Sequence, residues 1–278
     1  MRSLALLLLL AGAAVAQDSS GLDELTTRDD LRGFEPVGRV DIENGGFCTG
    51  ALIAADLVLT AGHCVLGSDG TPVDAARITF RAGFAYGSAL AESPVARTIV
   101  DPGYRNIAPT PIDMLRRDVA LLQLAQPIPS AVISPFVVAQ PGTGDAVSVV
   151  SYAQGREEAL SWQRVCKVVG RQDWLIAVDC DVTYGSSGAP VLDRSGYRAR
   201  IVSMISAGGD YDGKPVAFGM ELPALVDALK AALRRGEATS AAQPEATAPA
   251  PGTALPGRPV KRITTGSGAT GGAKFVSP

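Results

Sequence analysis

Short runs rich in valine, isoleucine, leucine and threonine recur along this chain, each closed off by glycine, proline, aspartate or asparagine. Residues 76–83, 95–100, 119–124, 146–153 and 199–206 are examples. Such spacing, with turn residues between the runs, is the pattern of an all-β barrel or sandwich. Two further runs, Trp162 to Val169 and Trp174 to Cys180, read as strands joined by the polar turn Gly170-Arg171-Gln172-Asp173. Only Leu222 to Leu233 reads as helix. Its apolar residues fall at helical spacing, and Arg234 and Arg235 complement its C-terminal end before Gly236.

The two ends have a different character. Arg2, the apolar stretch Leu4 to Leu10 and the small residues Ala14-Val15-Ala16 read as a secretory signal peptide over residues 1–16, cut after Ala16. The run falls short of the roughly 20 residues that span a bilayer, so no membrane span is expected after cleavage. Residues 17–36 are polar and acidic, a propeptide or a loose N-terminal arm. Residues 236–278 are rich in Ala, Pro, Thr, Ser and Gly, with little to bury, and read as a disordered tail, either a tether or an untidy terminus. The folded domain is expected over 37–235. The whole chain's net charge of -3 and the lack of a basic block argue against a nucleic-acid partner.

The chain has one histidine, His63, in Thr60-Ala61-Gly62-His63-Cys64. Any acid–base work by an imidazole falls to it. A serine hydroxyl is a poor nucleophile near neutral pH and needs such a base to take its proton. Gly185-Ser186-Ser187-Gly188-Ala189-Pro190 places two serines between glycines. Ser187 fits a G-x-S-G-x-P pattern, while Ser186 occupies its variable position. The imidazole needs a carboxylate to fix its tautomer, and two are near each other in sequence. Asp118 leads into the apolar run Val119 to Leu124, which would anchor it, whereas Asp113 lies in a proline-containing loop. Gly185 leaves the backbone able to aim its N–H, with that of Ser187, at an oxyanion.

With Thr60 to Cys64, Asp118 to Leu122 and Gly185 to Pro190 in this order, the chain resembles the chymotrypsin/trypsin family of serine endopeptidases from about Gly38 to Leu229. The resemblance implies two packed six-stranded antiparallel Greek-key β-barrels followed by a C-terminal helix. It assigns His63, Asp118 and Ser187 as the catalytic residues, with the oxyanion hole at Gly185 and Ser187. It pairs Cys48 with Cys64 beside the histidine, which leaves Cys166 to pair with Cys180 across the hairpin. Exported cysteines are expected to be oxidised. One histidine and no close cysteine pairs make a metal site a poor alternative, and the implied chemistry requires no metal or organic cofactor.

Specificity and activation are less uniform. The resemblance puts Asp181 at the base of the primary pocket, where a carboxylate would select Arg or Lys. It puts Ser203 and Ile205 on the pocket wall, with Ile205, like Val216, in place of a glycine, so that two branched side chains could close the pocket to all but small residues. Ser186 stands where zymogens of the family carry an aspartate, and no Ile-Val-Gly-Gly start lies near residues 36–40. These departures are similar to the bacterial glutamyl endopeptidase branch, whose acidic preference draws partly on a histidine that this chain lacks.

The expectation is a secreted or periplasmic serine endopeptidase acting on protein or peptide substrates through an acyl-enzyme. Such activity rises between about pH 5 and 8 as the base loses its proton. Two alternatives stand beside it: a catalytically silent secreted binding protein on the same fold, and a latent protease released by a cut near Arg32 or Arg39.

Overall fold

The computed structural model describes residues 21–142, 146–242 and 274–275. The expected signal peptide and most of the expected tail lie outside the described residues. Strand β1 (Leu22–Leu25) precedes a first barrel made of β2 (Val37–Ile42), β3 (Phe47–Ala54), β4 (Leu57–Thr60), β5 (Ile78–Ala82), β6 (Ala91–Val100) and β7 (Ala120–Leu124). Their hydrogen-bonded order, β2-β3-β4-β7-β6-β5, closes on itself because β5 also pairs with β2. Closure gives each of the six strands a partner on both sides over at least part of its length. The sequence cause is the period of two: β5 buries Ile78, Phe80 and Ala82 and turns Thr79 and Arg81 outward. A short helix, α1 (Ile112–Leu115), sits between β6 and β7.

After β8 (Val137–Val138) a second barrel repeats the plan with β9 (Ala146–Ala153), β10 (Arg156–Gln172), β11 (Leu175–Val178), β12 (Pro190–Asp193), β13 (Arg200–Met204), β14 (Ala207–Tyr211) and β15 (Lys214–Met220). β13 and β14 are one strand interrupted at Ile205 and Ser206. β13 pairs with β12 and β14 with β15, and the Ser206 N–H donates to the Phe218 carbonyl at 2.8 Å. Counted so, the order β9-β10-β11-β15-β14/β13-β12 has six positions, closed by the β12–β9 pairing. Both barrels therefore follow one connection pattern, and the all-β fold of two antiparallel barrels stands as expected.

The helix α2 (Pro223–Arg234) lies one residue later than its sequence pattern suggests. Pro223 takes the first turn, where a missing N–H costs nothing, and Gly236 ends the helix with φ +85°. It buries Val226, Leu229 and Leu233 against the first barrel, each such side chain contributing roughly 1.5–3 kcal/mol. The second barrel has its own core, with Val147, Val149, Ile176, Val191, Val202 and Ile205 among its members. Both disulfides are present, Cys48–Cys64 and Cys166–Cys180.

Three local readings need correction. The hairpin turn is Asp173–Trp174, both at positive φ, rather than Gly170 to Asp173. Arg171 and Gln172 stay in the ladder opposite Ile176 and Leu175, and Trp174 is 72% exposed. Their polarity fits an outward-facing strand as well as a turn. The arm over 21–36 is docked: β1 pairs with β10, and Leu25, Leu31 and Phe34 are buried. Beyond Gly236 the chain first adds β16 (Ser240–Ala241) to β6, with the Ser240 hydroxyl accepting from the Ala75 N–H.

Candidate active site

His63 sits in a single tight turn, Gly62–Cys64, immediately after β4, tied to β3 through Cys64–Cys48. Asp118 lies just before β7, which pairs with β4 along its length. The barrel ladder thus brings together two residues 55 positions apart. His63 Nδ1 is 2.7 Å from Asp118 Oδ2, and the His63 backbone N–H donates to Oδ1 at 2.9 Å. Both side chains are fully buried. A carboxylate only accepts, so a proton on Nδ1 points at Asp118, and the neutral imidazole has its lone pair on Nε2. The rival, Asp113, is exposed on α1 and pairs with Arg116 at 2.7 Å.

The second barrel supplies the rest. Ser206, at the break between β13 and β14, donates its hydroxyl to Asp118 Oδ2 at 2.6 Å and is itself fully buried. Across the barrel boundary, Thr49 of β3 acts as a bolt. Its N–H donates to the Ser187 carbonyl at 2.9 Å, its hydroxyl donates to the Gly185 carbonyl at 2.8 Å, and the same oxygen accepts from the Tyr152 N–H at 3.0 Å. Ser187 is thereby held against β3, the strand tied to the His63 turn through Cys48–Cys64. Neither Ser206 nor Thr49 was singled out in the sequence. The phenol of Tyr104 is buried beside Asp118, and burial first and the carboxylate second push its pKa up, so it stays neutral.

The serine loop has little freedom to be anything else. Gly188, at φ +80°, has the Thr49 carbonyl where a Cβ would go, and Gly185, at φ +90°, has the Phe47 ring there. Only glycine fits both the dihedral and the space. Among the described residues the N–H groups of Gly185 and Ser187 donate to no acceptor, while the neighbouring Ser186, Gly188 and Ala189 N–H groups are all engaged within the protein. Two unengaged donors on either side of Ser186, on a constrained loop, have the chemistry of an anion cradle. Ser186 is buried and shares a 3.1 Å hydrogen bond with Ser151. A neutral pair thus occupies the position at which the resemblance expects an aspartate.

The expected specificity residues are rearranged. Ser203 is not on a pocket wall; its hydroxyl donates to the Met220 carbonyl at 2.9 Å inside the barrel. Ile205 belongs to the core of the second barrel, beside Ala189 and Val202. Ser206, with its bond to Asp118, shows that the segment facing the site begins three residues later than supposed. The site-facing segment is therefore Ser206-Ala207-Gly208, and open space lies where a Cβ on Gly208 would be. Val216 is buried on β15 opposite Gly209. Asp181 is exposed, held by its N–H to Gln163 Oε1 at 2.7 Å, and does not floor a buried pocket. Its charge reaches the half-buried Arg156, whose pKa is lowered by burial and raised by Asp181.

Cys48, His63 and Cys64 also bring sulfur and imidazole nitrogen within 4.8 Å of one another. The two sulfurs are joined to each other, so neither is a thiolate able to bind a metal.

Two closed antiparallel barrels with a buried His–Asp pair at their junction define the class: a chymotrypsin-type double barrel. The comparisons agree with this class. A solved structure described as "Structure of Glu endopeptidase in complex with MPD" matches with a TM-score of 0.65, covering 78% of this chain and 98% of that chain at 19% identity. No curated protein matches the chain significantly. Residues 48–198, more than half of the chain, match the trypsin-like peptidase domain model. The chain belongs to the trypsin-like peptidase family.

Proposed function

We propose that this protein is an exported serine endopeptidase that cleaves peptide bonds through an acyl-enzyme. Ser187 Oγ attacks the scissile carbonyl while His63 takes its proton, and His63 then returns that proton to the leaving amine. Water repeats the sequence on the ester. Asp118 holds the imidazole by Nδ1 and stabilises its charged form. The Gly185 and Ser187 N–H groups take the negative charge that develops on the carbonyl oxygen. The observation that carries this reading is the 2.7 Å contact between a fully buried imidazole and a fully buried carboxylate, beside a serine loop with two unengaged N–H donors. Family membership supports peptide or protein substrates. Two disulfides support an oxidising compartment, and among the described residues no helix is long and apolar enough to cross a membrane.

The test is covalent labelling of the chain lacking residues 1–16 with a small serine-directed phosphonate, the adduct located by mass spectrometry. Labelling at Ser187 that disappears in His63→Ala and Ser187→Ala is the expected result. Folded wild type that takes no label would instead make the protein a silent binding module. Cuts mapped in a mixed peptide library then define the preferred side chain. Because Asp181 is exposed, a preference for Arg or Lys is not expected to depend on it, and Asp181→Asn reports this directly.

A further inference from the structure

β14 carries a partner on each side. β15 runs along one, from Ala207 opposite Phe218 to Tyr211 opposite Lys214. Along the other lies a two-residue strand, β17 (Lys274–Phe275), antiparallel, with Ala207 opposite Phe275 and Gly208 opposite Lys274. β14 begins directly after Ser206, the residue that donates to Asp118. The strand that β17 pairs with therefore continues directly from Ser206.

We propose that the chain's own Lys274–Phe275 segment docks as an added strand at the mouth of the candidate active site and competes there with extended peptides. The proposal rests on the serine-peptidase reading of His63, Asp118 and Ser187. Strand addition uses main-chain N–H and C=O groups, which every extended peptide carries, so a substrate and a tail are rivals for one edge.

The connection reaches easily. The chain is fixed to the first barrel as far as Ala242, whose N–H donates to the Ala96 carbonyl at 2.8 Å. Residues 243–273 then separate it from Lys274. A segment of that length spans up to about 100 Å when extended, several times the roughly 17 Å radius of gyration of a domain of this size. A tether of this kind gives an effective concentration on the order of millimolar, so even a two-residue pairing competes with dilute substrate. The segment thus acts as a built-in competitor, which a substrate displaces by making more contacts along the same edge.

The experiment compares the full chain with Lys274→Pro/Phe275→Pro in the same full chain, since proline removes the N–H that a ladder needs. Three readings are taken: amide hydrogen exchange of the segment from Ala207 to Tyr211, the rate of Ser187 labelling by a phosphonate bearing an extended tripeptide, and the rate with a small phosphonate bearing no peptide. The proposal expects faster exchange at Ala207 to Tyr211 in the proline variant. It also expects labelling by the peptide probe to be faster by roughly threefold to tenfold, with the small probe unchanged. The peptide Gly-Gly-Ala-Lys-Phe-Val-Ser-Pro, the sequence of residues 271–278, should restore both properties when added at millimolar concentration. Equal exchange and equal peptide-probe rates in the two proteins overturn the proposal. Protection that falls on dilution of the protein overturns docking within one chain, because the segment would then come from a second copy. If the small probe labels neither protein, the peptidase reading fails while hydrogen exchange still decides whether the segment is docked.

Discussion

Ser206→Ala and Ser203→Ala form a matched pair that separates two registers of one strand. Both serines are buried and each donates one hydrogen bond, Ser206 to the Asp118 carboxylate at 2.6 Å and Ser203 to the Met220 carbonyl at 2.9 Å. A hydrogen bond to a charged group contributes about 1.5–3 kcal/mol, and one between neutral groups about 1 kcal/mol. In Ser206→Ala, Asp118 keeps its two bonds from His63 but loses the donor from the second barrel. If that bond acts fully in the transition state, labelling of Ser187 slows by roughly tenfold to 150-fold. Ser203→Ala leaves the labelling rate and its pH profile unchanged and lowers Tm by about 2–4 °C. The assay is the second-order rate of phosphonate labelling from about pH 5 to 9, with circular dichroism to confirm folding. Ser206→Ala that labels at the wild-type rate, beside Ser203→Ala that is slow, would refute the assignment of Ser206 and restore the earlier register.

The other predictions concern the surroundings of the same site. Gly185→Ala should lose about 3 kcal/mol of barrier lowering, near a 100-fold drop in labelling rate, since its methyl meets the Phe47 ring and re-aims one oxyanion donor; a change below threefold would contradict this. Replacing the Cys48–Cys64 pair with serines opens a separation of 16 residues and should cost about 3 kcal/mol, lowering Tm and slowing labelling together because Cys64 adjoins His63. Replacing Cys166–Cys180, with a separation of 14, should lower Tm comparably with far less effect on labelling. Asp193 is held below the usual carboxylate range first by hydrogen bonding from Ser195 and further by Arg200. The stability it contributes is present above the ordinary value of 3.8 and is lost as pH falls through the lowered one, so the Tm gap between wild type and Asp193→Asn should close in strong acid.

How far the sequence revealed this site follows from how local each determinant is. His63, Asp118 and Ser187 sit in short strings whose neighbours carry the signal: the disulfide partner Cys64, the strand after Asp118, and the glycines about Ser187. Asp118 was separable from Asp113 because a buried strand anchors one and a four-residue helix exposes the other. Ser206 was missed for a definite reason. β13 ends at Met204 and β14 starts at Ala207, so the alternation that assigns faces does not run through the break, and Ser203 and Ser206 looked alike. Thr49 offers no signal, since its partners Tyr152 and Gly185 are 103 and 136 residues away. Trp174 was drawn into a strand by its bulk, although the tight turn gives it φ +69° and turns it to solvent. The arm over 21–36 looked too polar to dock, but only Leu25, Leu31 and Phe34 need to be buried for it to pack.

The same geometry bears on whether the site must be switched on. A trypsin-type switch, as the resemblance implies it, uses a buried aspartate that becomes satisfied only when a cut supplies a charged partner. An unpaired buried carboxylate is strongly unfavourable, and that penalty is what would keep an uncut loop from closing. This chain has Ser186 in that place, and a hydroxyl needs only another hydroxyl. Ser151 supplies it at 3.1 Å from within the second barrel. Thr49 fixes the Gly185 and Ser187 carbonyls from the first barrel, and the docked segment over 21–36 is held by β1–β10 pairing on the second. Among the described residues no carboxylate at this position waits for a new N-terminus, and the contacts of Ser151 and Thr49 hold the loop around Ser187 from both barrels.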